Sequence, residues 1–396
     1  MLDITTESSS NCIPASREDA ICLEILVQPG WAPVFDSYFI SSSAPIPLDI
    51  QVIYREYFPP ALDAALHLIS RNMGRIRHLL LELQQPWQGE FRTRPPHVFP
   101  SARVCAPASQ LRSLEVEFGP DTIAWEWISA VVGSAPKLRV CYMRSLLTVA
   151  PSVYSSQLKY LSLGPIRLVD VFRALENAPL LEYGDFILAP SQLPLPNRIL
   201  AHPLKYLLLE RDAVPGRDEL ALFLGRVRFS SLVSLAVIGS HDQWCHDAVI
   251  DLLTRSRCAL RRLNIINTRI SARQAVQLLS HPSTQTLTAL KLENCRDAVG
   301  PYLFRTLLYD SPRPSQGPQR WFRPLIPTLR TIYLSPLWNQ APLGTVEVRI
   351  KENMLHSIQT LAGIPDMSTT FSVDIRENEL GEEEDVVGDF TQYLIK

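Results

Sequence analysis

The sequence predicts an α/β protein built as a repeat solenoid, with a curved parallel sheet on its concave face and helices on its convex face. Three observations predict this architecture: a short apolar phrase occurs ten times between residues 76 and 334, helix-like stretches follow its copies, and proline recurs just before the next copy. Parallel strands need a crossover that returns the chain to the same edge, and a helix is the usual crossover. Units of strand and helix therefore stack into one continuous sheet.

The repeated phrase places apolar residues at its first, fourth and sixth positions and leaves the other positions free. Its first positions are 35, 27, 20, 23, 23, 28, 28, 27 and 42 residues apart. From Leu138 to Leu287 the mean spacing is roughly 25 residues, which is typical of leucine-rich repeats. Only Gly184, at a fourth position, breaks the apolar rule. The ten copies begin at Ile76, Leu111, Leu138, Leu158, Leu181, Leu204, Leu232, Leu260, Leu287 and Leu329.

Two segments precede the regular repeats. Residues 1–20 are rich in Ser and Thr, lack an early basic residue, and predict a disordered lead-in rather than a presequence. In residues 21–110, the stretches 21–27 and 46–54 predict strands, and Pro59–Asn72 predicts a helix with one apolar face. A Pro-rich insertion, expected at the surface, and the first copy of the phrase complete this segment.

Residues 111–310 contain the regular repeats, in which strands alternate with helices. Pro136 and Pro179 stand just before the next strand, where proline ends a helix and favours an extended backbone. Ser271 and Gln274 have the spacing of a capping box, which is a specific signal for the start of a helix. The predicted helices span residues 123–132, 169–177, 219–228, 248–255, 272–279 and 302–309.

The C-terminal part of the sequence is less regular. Residues 311–328 predict a second Pro-rich insertion, which accounts for the longest spacing between copies. Residues 329–376 predict a terminal repeat and cap, with a helix over 351–363 and a strand over 370–375. Residues 377–396 form an acidic tail, which predicts either a solvated, mobile segment or a charged end cap or partner contact.

Composition and charge exclude several classes of partner. The chain has 38 basic and 40 acidic residues, a net charge of −2 that gives no field to steer it to nucleic acid or membrane. No apolar run approaches the ~18 residues that a membrane span needs. The seven cysteines are odd in number and include no CxxC, which predicts reduced, buried thiols and a cytoplasmic or nuclear location.

Motifs for catalysis are absent from the sequence. It has no Gly-rich phosphate loop, no GxSxG and no HExxH. Residues 241–247 gather two His, two Asp and one Cys, but no second segment completes a zinc site, and such residues also cap helices. We therefore expect a non-enzymatic protein without catalytic residues, metal or cofactor, and a metal or catalytic role for residues 241–247 is the third alternative.

Three regularly spaced tyrosines predict a binding patch. The third and fifth positions of the phrase alternate with the inward fourth and sixth positions, so they face the concave side. Tyr160, Tyr183 and Tyr206 occupy third positions at spacings of 23 and should form a ladder on the open face. Tyrosines are enriched at interface centres, although a ladder could instead only shield the sheet. The candidate partner-binding residues are Tyr142, Tyr160, Tyr183, Asp185, Tyr206, Arg262 and Lys291.

The second position of the phrase is a further regularity, because seven of its ten residues are basic. These side chains should line one rim of the sheet, where the chain begins each strand. The rim is either a solvated edge that discourages sideways association or a stripe for an acidic protein partner. This basic rim comprises Arg77, Arg112, Arg139, Lys159, Lys205, Arg261 and Arg330.

Several segments share motifs with one known group of repeat proteins. Residues 286–295 match the Cys-ended form LxxLxLxxC, and residues 260–270 come close to it. Residues 135–138 and 178–181 share an Ala-Pro-x-Leu opening. These repeats resemble the ribonuclease-inhibitor-like leucine-rich repeats of F-box proteins, above all the large fungal F-box/leucine-rich-repeat-like family.

The resemblance covers roughly residues 31–375 and implies a concave face that recognises protein substrates for a ubiquitin ligase. The F-box itself is not evident, because residues 1–30 contain no Leu-Pro-x-Glu-like start. The ligase-docking half is therefore expected to be absent or to lie upstream of Met1, and a ligase adaptor is a partner only if a degenerate F-box is present. The alternative is a free-standing leucine-rich-repeat scaffold, such as a regulator of a small GTPase. In either case we expect a monomer.

Overall fold

The described residues form a mixed α/β fold with a large, open, parallel sheet of 13 strands. The sheet is open because its strands run from one edge to the other in chain order. This arrangement comes from a computed structural model. The model describes residues 21–26, 46–54, 59–83, 105–118, 125–144, 156–190, 197–211, 218–239, 244–295, 297–298, 302–303, 326, 328–329, 331–335 and 372–374.

Each strand of the large sheet pairs in parallel with the next strand. Two short strands, β8 and β10, lie outside it and form a second parallel pair. The strands are β1 (Ile21–Leu26), β2 (Leu48–Tyr54), β3 (Ile76–Leu83), β4 (Ser113–Phe118), β5 (Val140–Arg144), β6 (Tyr160–Arg167), β7 (Tyr183–Ala189), β8 (Leu200–Ala201), β9 (Tyr206–Arg211), β10 (Val227–Arg228), β11 (Ser234–Ile238), β12 (Arg262–Ile266), β13 (Ala289–Glu293), β14 (Thr331–Ser335) and β15 (Ser372–Asp374).

Helices occupy many of the crossovers between the strands. The first helix buries Leu62, Leu66 and Ile69, the apolar face expected from their spacing along the sequence. In the second helix Trp127 donates a hydrogen bond from Nε1 to Ser70 Oγ at 2.8 Å, which ties neighbouring crossovers together. The helices are α1 (Pro59–Asn72), α2 (Trp125–Gly133), α3 (Leu168–Asn177), α4 (Glu219–Leu224), α5 (His246–Ser256) and α6 (Ala272–Leu279). None of the described helices is both long and apolar enough to cross a membrane.

The pairing register follows the repeated phrase. Fourth positions pair with fourth positions across neighbouring strands, beginning with Leu79 and Leu114 and ending with Leu290 and Ile332. In the first nine copies every residue at the first, fourth and sixth positions is buried. The expected core is therefore confirmed, because a parallel register places the same phrase position of each strand side by side.

One predicted helix is too long. The sequence predicts a helix over residues 219–228, but α4 ends at Leu224. Gly225 follows as the C-terminal cap, and its N–H donates to the Ala221 carbonyl at 2.9 Å. The chain then becomes extended, so that Val227 pairs with Leu200 in the short second sheet. A β-branched, fully buried residue at this point favours the strand over another helical turn.

The remaining expected elements either agree with the structure or fall on residues that the structure does not describe. The strand expected over residues 370–375 is present as β15, and of the helix expected over residues 302–309 only the first two residues are described, as helical. The lead-in, most of both Pro-rich insertions, the helix expected over residues 351–363 and the acidic tail lie outside the described residues.

Candidate binding surface

The tyrosine ladder is present. Tyr160, Tyr183 and Tyr206 are direct partners in the register of β6, β7 and β9. The ring centroids of Tyr160 and Tyr183 are 4.4 Å apart with an interplanar angle of 12°, and those of Tyr183 and Tyr206 are 6.2 Å apart at 29°. We call the side of the sheet that carries the third and fifth positions the tyrosine face. The even spacing in sequence thus becomes stacking across neighbouring parallel strands.

The ladder is not open to solvent along its whole length, which corrects the expectation from the sequence. Tyr160 is 3% exposed and Tyr183 is 6% exposed, whereas Tyr206 is only partly buried. Stacked rings cover one another. The pKa of Tyr160 is raised far above its usual value, mainly by burial and then by the nearby charges of Tyr183 and Asp185. Tyr160 and Tyr183 therefore shield the sheet, and Tyr206 is the member that a partner can touch.

Asp185 belongs to the same buried region rather than to an exposed patch. It is 4% exposed, and Ser162 donates a hydrogen bond from Oγ to its Oδ2 at 2.8 Å. Toward β4, Glu115 accepts a hydrogen bond from Ser113 Oγ at 3.2 Å, and burial raises the pKa of Glu115. These contacts satisfy polar groups within the sheet face, so Asp185 has a structural role.

The remaining candidates lie on either side of the ladder. Tyr142 pairs in register with Ser162 of β6 and is partly buried. Arg262 lies beyond β11, whose Ser234 pairs with both Tyr206 and Arg262. Lys291 forms an ion pair at 2.6 Å with Glu293 of its own strand. The candidates thus form two groups that one strand, β11, separates.

The second positions form a continuous line, as the sequence predicts. The Arg112 N–H donates to the Arg77 carbonyl at 2.7 Å, and the Arg139 N–H donates to the Arg112 carbonyl at 2.9 Å. The same bond recurs at each following second position through Thr288. Arg330, the last member of the basic rim, lies outside the described residues.

Acidic side chains neutralise part of the basic rim. Arg77 binds Asp49 through two hydrogen bonds of 2.8 and 3.1 Å. Lys159 and Lys205 share Glu182 at 3.4 and 2.8 Å, and the hydrogen bond from Lys205 is the main cause of the lowered pKa of Glu182. Arg112, Arg139 and Arg261 are exposed and form no ion pair with any described residue. Among the described members of the rim, these three arginines remain open to a partner.

A cleft lies where the rim meets the exposed end of the ladder. Its volume is about 390 Å³, and none of the described residues that line it carries a carboxylate. We call it the basic cleft. The sequence analysis assigned Arg261 to the basic rim and Arg262 to the partner-binding candidates. Their adjacency at the second and third positions of one copy indicates that both can line the same cleft. The cleft is lined by Tyr206, Val233, Arg261, Arg262 and Thr288.

The segment 241–247 is only partly described, because residues 241–243 lie outside the described part. Cys245 is the N-cap residue of α5, and its side chain makes no capping hydrogen bond. Burial raises the pKa of Cys245 to about 12, so its thiol is protonated at neutral pH. Trp244 donates from Nε1 to His246 Nδ1 at 3.2 Å inside the protein. Among the described residues no group of three or more His, Cys, Asp or Glu side chains could hold a metal ion.

The sequence matches no protein-family model, and no curated protein matches it. An inference about function must therefore rest on the geometry of the tyrosine face, the basic rim and the basic cleft. Together they form a surface on which Tyr206 supplies an aromatic ring and the arginines supply positive charge at the starts of the strands. Aromatic side chains and arginine are the residue types enriched at protein interfaces.

Proposed function

We propose that this chain is a leucine-rich-repeat solenoid that binds another protein on the concave face of its sheet and along the basic rim. In this role it resembles the substrate-recognition region of an F-box ubiquitin-ligase receptor. The in-register pairing of the repeated phrase across successive parallel strands supports the repeat architecture. A solenoid of this kind offers a long shared surface, which suits binding better than chemistry.

The observation that carries the proposal is the line of exposed arginines at the starts of neighbouring strands. Arg112 and Arg139 directly precede the adjacent strands β4 and β5, and adjacent strands lie about 4.8 Å apart in a sheet. The rim already binds carboxylates of its own chain, because Glu182 lies between Lys159 and Lys205. An acidic surface of a partner supplies the same chemistry to the arginines that remain open. The proposed partner is therefore an acidic protein.

A protein fits this rim better than a nucleic acid. Nucleic-acid binding depends on neutralising many phosphates along a strand. The basic line here is interrupted by Glu182, Val233 and Thr288, and the whole chain has a net charge of −2. We further propose that the protein works as a monomer in the cytoplasm or nucleus, without an enzymatic activity or a cofactor.

Reversal of two rim charges tests the proposal. Wild-type protein and the double variant Arg112→Glu/Arg139→Glu are used as baits for affinity purification from the cells that make this protein. Captured proteins are quantified by mass spectrometry. We expect the variant to lose about ten-fold or more of the specific partner, because charge reversal replaces attraction by repulsion at two of the three exposed arginines of the rim.

The matched control is Arg273→Glu, which makes the same charge change at an exposed position of α6, outside the rim. This variant should capture the partner as the wild type does. Equal loss with both variants, or no loss with either, would contradict the proposal. Capture of a cullin and its small adaptor would assign the chain to a ligase receptor, whereas nucleotide-dependent capture of a small GTPase would favour the free-standing scaffold.

A further inference from the structure

We infer that the basic cleft is a recognition pocket for one anionic side chain, a carboxylate or a phosphoryl group, in an extended segment of the partner protein. The inference rests on the proposed function and gives that surface a specific ligand chemistry. It starts from the register of four strands at one end of the ladder. Tyr206, Ser234, Arg262 and Ala289 are direct neighbours on β9, β11, β12 and β13.

Long and short side chains alternate across the strands beside the cleft. Tyr206 and Arg262 are long, and the small residues Ser234 and Ala289 stand between and beside them. Ser234 is 4% exposed and so lies below the level of the longer side chains. The cleft has a volume of about 390 Å³, and Tyr206 and Arg262 line it together with Val233, Arg261 and Thr288. A volume of this size is large enough to admit one side chain.

The charge of the lining selects an anion. Arg261 is exposed and forms no ion pair with a described residue, and Arg262 lines the same cleft from the next position of the chain. A guanidinium presents several N–H donors in one plane and binds the two oxygens of a carboxylate or phosphoryl group. None of the described residues that line the cleft is acidic.

The backbone that holds the arginines is fixed before a ligand arrives. Thr286 donates from Oγ1 to the Leu260 carbonyl at 2.7 Å, and Thr288 donates from Oγ1 to the Arg261 carbonyl at 3.0 Å. The Thr288 N–H donates to the same Arg261 carbonyl at 2.8 Å. Binding at a prepositioned site loses less conformational entropy than binding at a flexible loop, so the geometry favours recognition.

The aromatic wall explains why a side chain in a peptide fits better than a free ion. Tyr206 stacks against Tyr183 on one side and lines the cleft on the other. Val233 adds an apolar contact and offers no side-chain hydrogen bond that could compete with the anion. A peptide side chain brings both parts that this lining needs, an apolar stem for Tyr206 and Val233 and an anionic end for the arginines.

The test measures the binding of the full chain to three fluorescein-labelled peptides of Gly and Ser. They differ only at the central residue, which is phosphoserine, glutamate or serine, and binding is measured by fluorescence anisotropy at low ionic strength. The phosphoserine peptide, the glutamate peptide or both should bind about ten-fold or more tightly than the serine peptide. Preference for phosphoserine over glutamate would assign a phosphorylated partner, and equal binding would assign an acidic one.

The variants Arg261→Gln and Arg261→Gln/Arg262→Gln should abolish the difference between the peptides, and the control Arg273→Gln should retain it. The single variant changes an exposed side chain, and thermal melting checks that each variant is folded. Equal binding of all three peptides, no binding at all, or an unchanged difference in the variants would overturn the inference. Such a result leaves the capture experiment with Arg112 and Arg139 unaffected, so the two failures are distinguishable.

Discussion

At the scale of the residue, Gly184 shows how a neighbouring side chain compensates for a missing one. Gly184 occupies the only fourth position without an apolar side chain, and it pairs with Leu161. A Cβ atom at Gly184 would lie 2.7 Å from the ring of Phe186, which is fully buried. The ring at the sixth position thus fills the volume that the fourth position leaves empty, because protein interiors are packed without large voids. The break in the pattern is a change of packing and not a break in the repeat.

A buried histidine gives the fold a dependence on pH. His202 is 6% exposed, and its Nε2 lies 3.0 Å from the Ala178 carbonyl. Among the described residues its Nδ1 has no hydrogen-bond partner, and burial lowers the pKa of His202 despite the bond to Ala178. Burial also lowers the pKa of His78 and His281. The folded state therefore binds protons less readily than the unfolded state at these three positions.

We expect the free energy of unfolding to fall as the pH is lowered through about 6.5, where a histidine of the unfolded chain titrates. The sign follows from the lowered folded-state pKa values, since stability is complete above the unfolded pKa and is lost below it. Chemical denaturation at pH 7.5 and pH 5.5 measures the effect. The variant His202→Gln should show a smaller fall than the wild type, and an identical fall in both would refute the role of His202.

At the scale of the element, the start of α6 agrees in sequence and structure. Ser271 Oγ accepts a hydrogen bond from the Gln274 N–H at 3.3 Å, and the Ser271 N–H donates to Gln274 Oε1 at 3.0 Å. This reciprocal pair is the capping box that the spacing predicts. A local motif can be predicted because all of its atoms lie within four residues of the chain.

Removal of this cap should destabilise the protein. Ser271→Ala is expected to lower the free energy of unfolding by about 0.5–2 kcal/mol, because a helix N–H group loses its partner. Ser271→Asp keeps an acceptor at the same place and should remain close to the wild type. Urea denaturation measured by circular dichroism compares the three proteins. Equal stability of the wild type and the Ala variant would show that the cap contributes nothing.

The ends of two strands depend on a feature that the sequence analysis did not identify. Asn267 and Asn294 follow β12 and β13 with a φ of 54° each, and Asn294 Nδ2 donates to Asn267 Oδ1 at 2.6 Å. Asparagine tolerates this left-handed backbone better than most residues. One residue later, Thr268 Oγ1 contacts Cys295 Sγ at 3.5 Å, at the ninth positions of the phrase. Asn267 and Asn294 occupy the same position in successive copies of the phrase, and this recurrence was the sequence signal for the feature.

At the scale of the whole molecule, neighbouring strands depend on one another through the buried phrase positions. Leu207 is 2% exposed and pairs with Gly184 and Leu235 on the two adjacent strands. A change there disturbs both interfaces at once, because Leu207 lies between two paired strands. Leu180, at 52% exposure, offers a matched leucine outside the core.

Leu207→Asp should therefore prevent cooperative folding, because it buries an unpaired charge between two strands. Leu180→Asp should change the free energy of unfolding by only about 0.5 kcal/mol, as is usual for exposed positions. Thermal unfolding followed by circular dichroism compares the two variants. A cooperative transition of Leu207→Asp at the wild-type temperature would contradict the assigned register.

The sequence by itself determined the features that depend on period and on short-range chemistry. The apolar phrase was enough to predict the α/β class, the parallel strands and their common register, because inward side chains must recur at fixed positions of each copy. The capping box, the face of α1 and the stacking order of Tyr160, Tyr183 and Tyr206 follow in the same way. The premature end of α4 was not predicted, since it depends on pairing with a strand more than 20 residues earlier.

Only the tertiary structure decided which polar residues are covered, which are paired and which remain open. Tyr160, Tyr183 and Asp185 have the same kind of position in the phrase as Tyr206 and Arg262, yet the first three are buried. Every member of the basic rim carries a positive charge, but Asp49 and Glu182 neutralise some of these members. The exposure and charge pairing of a residue depend on side chains of neighbouring strands, which are distant in sequence. Periodicity specifies the direction in which each side chain points, but not which side chains lie next to it.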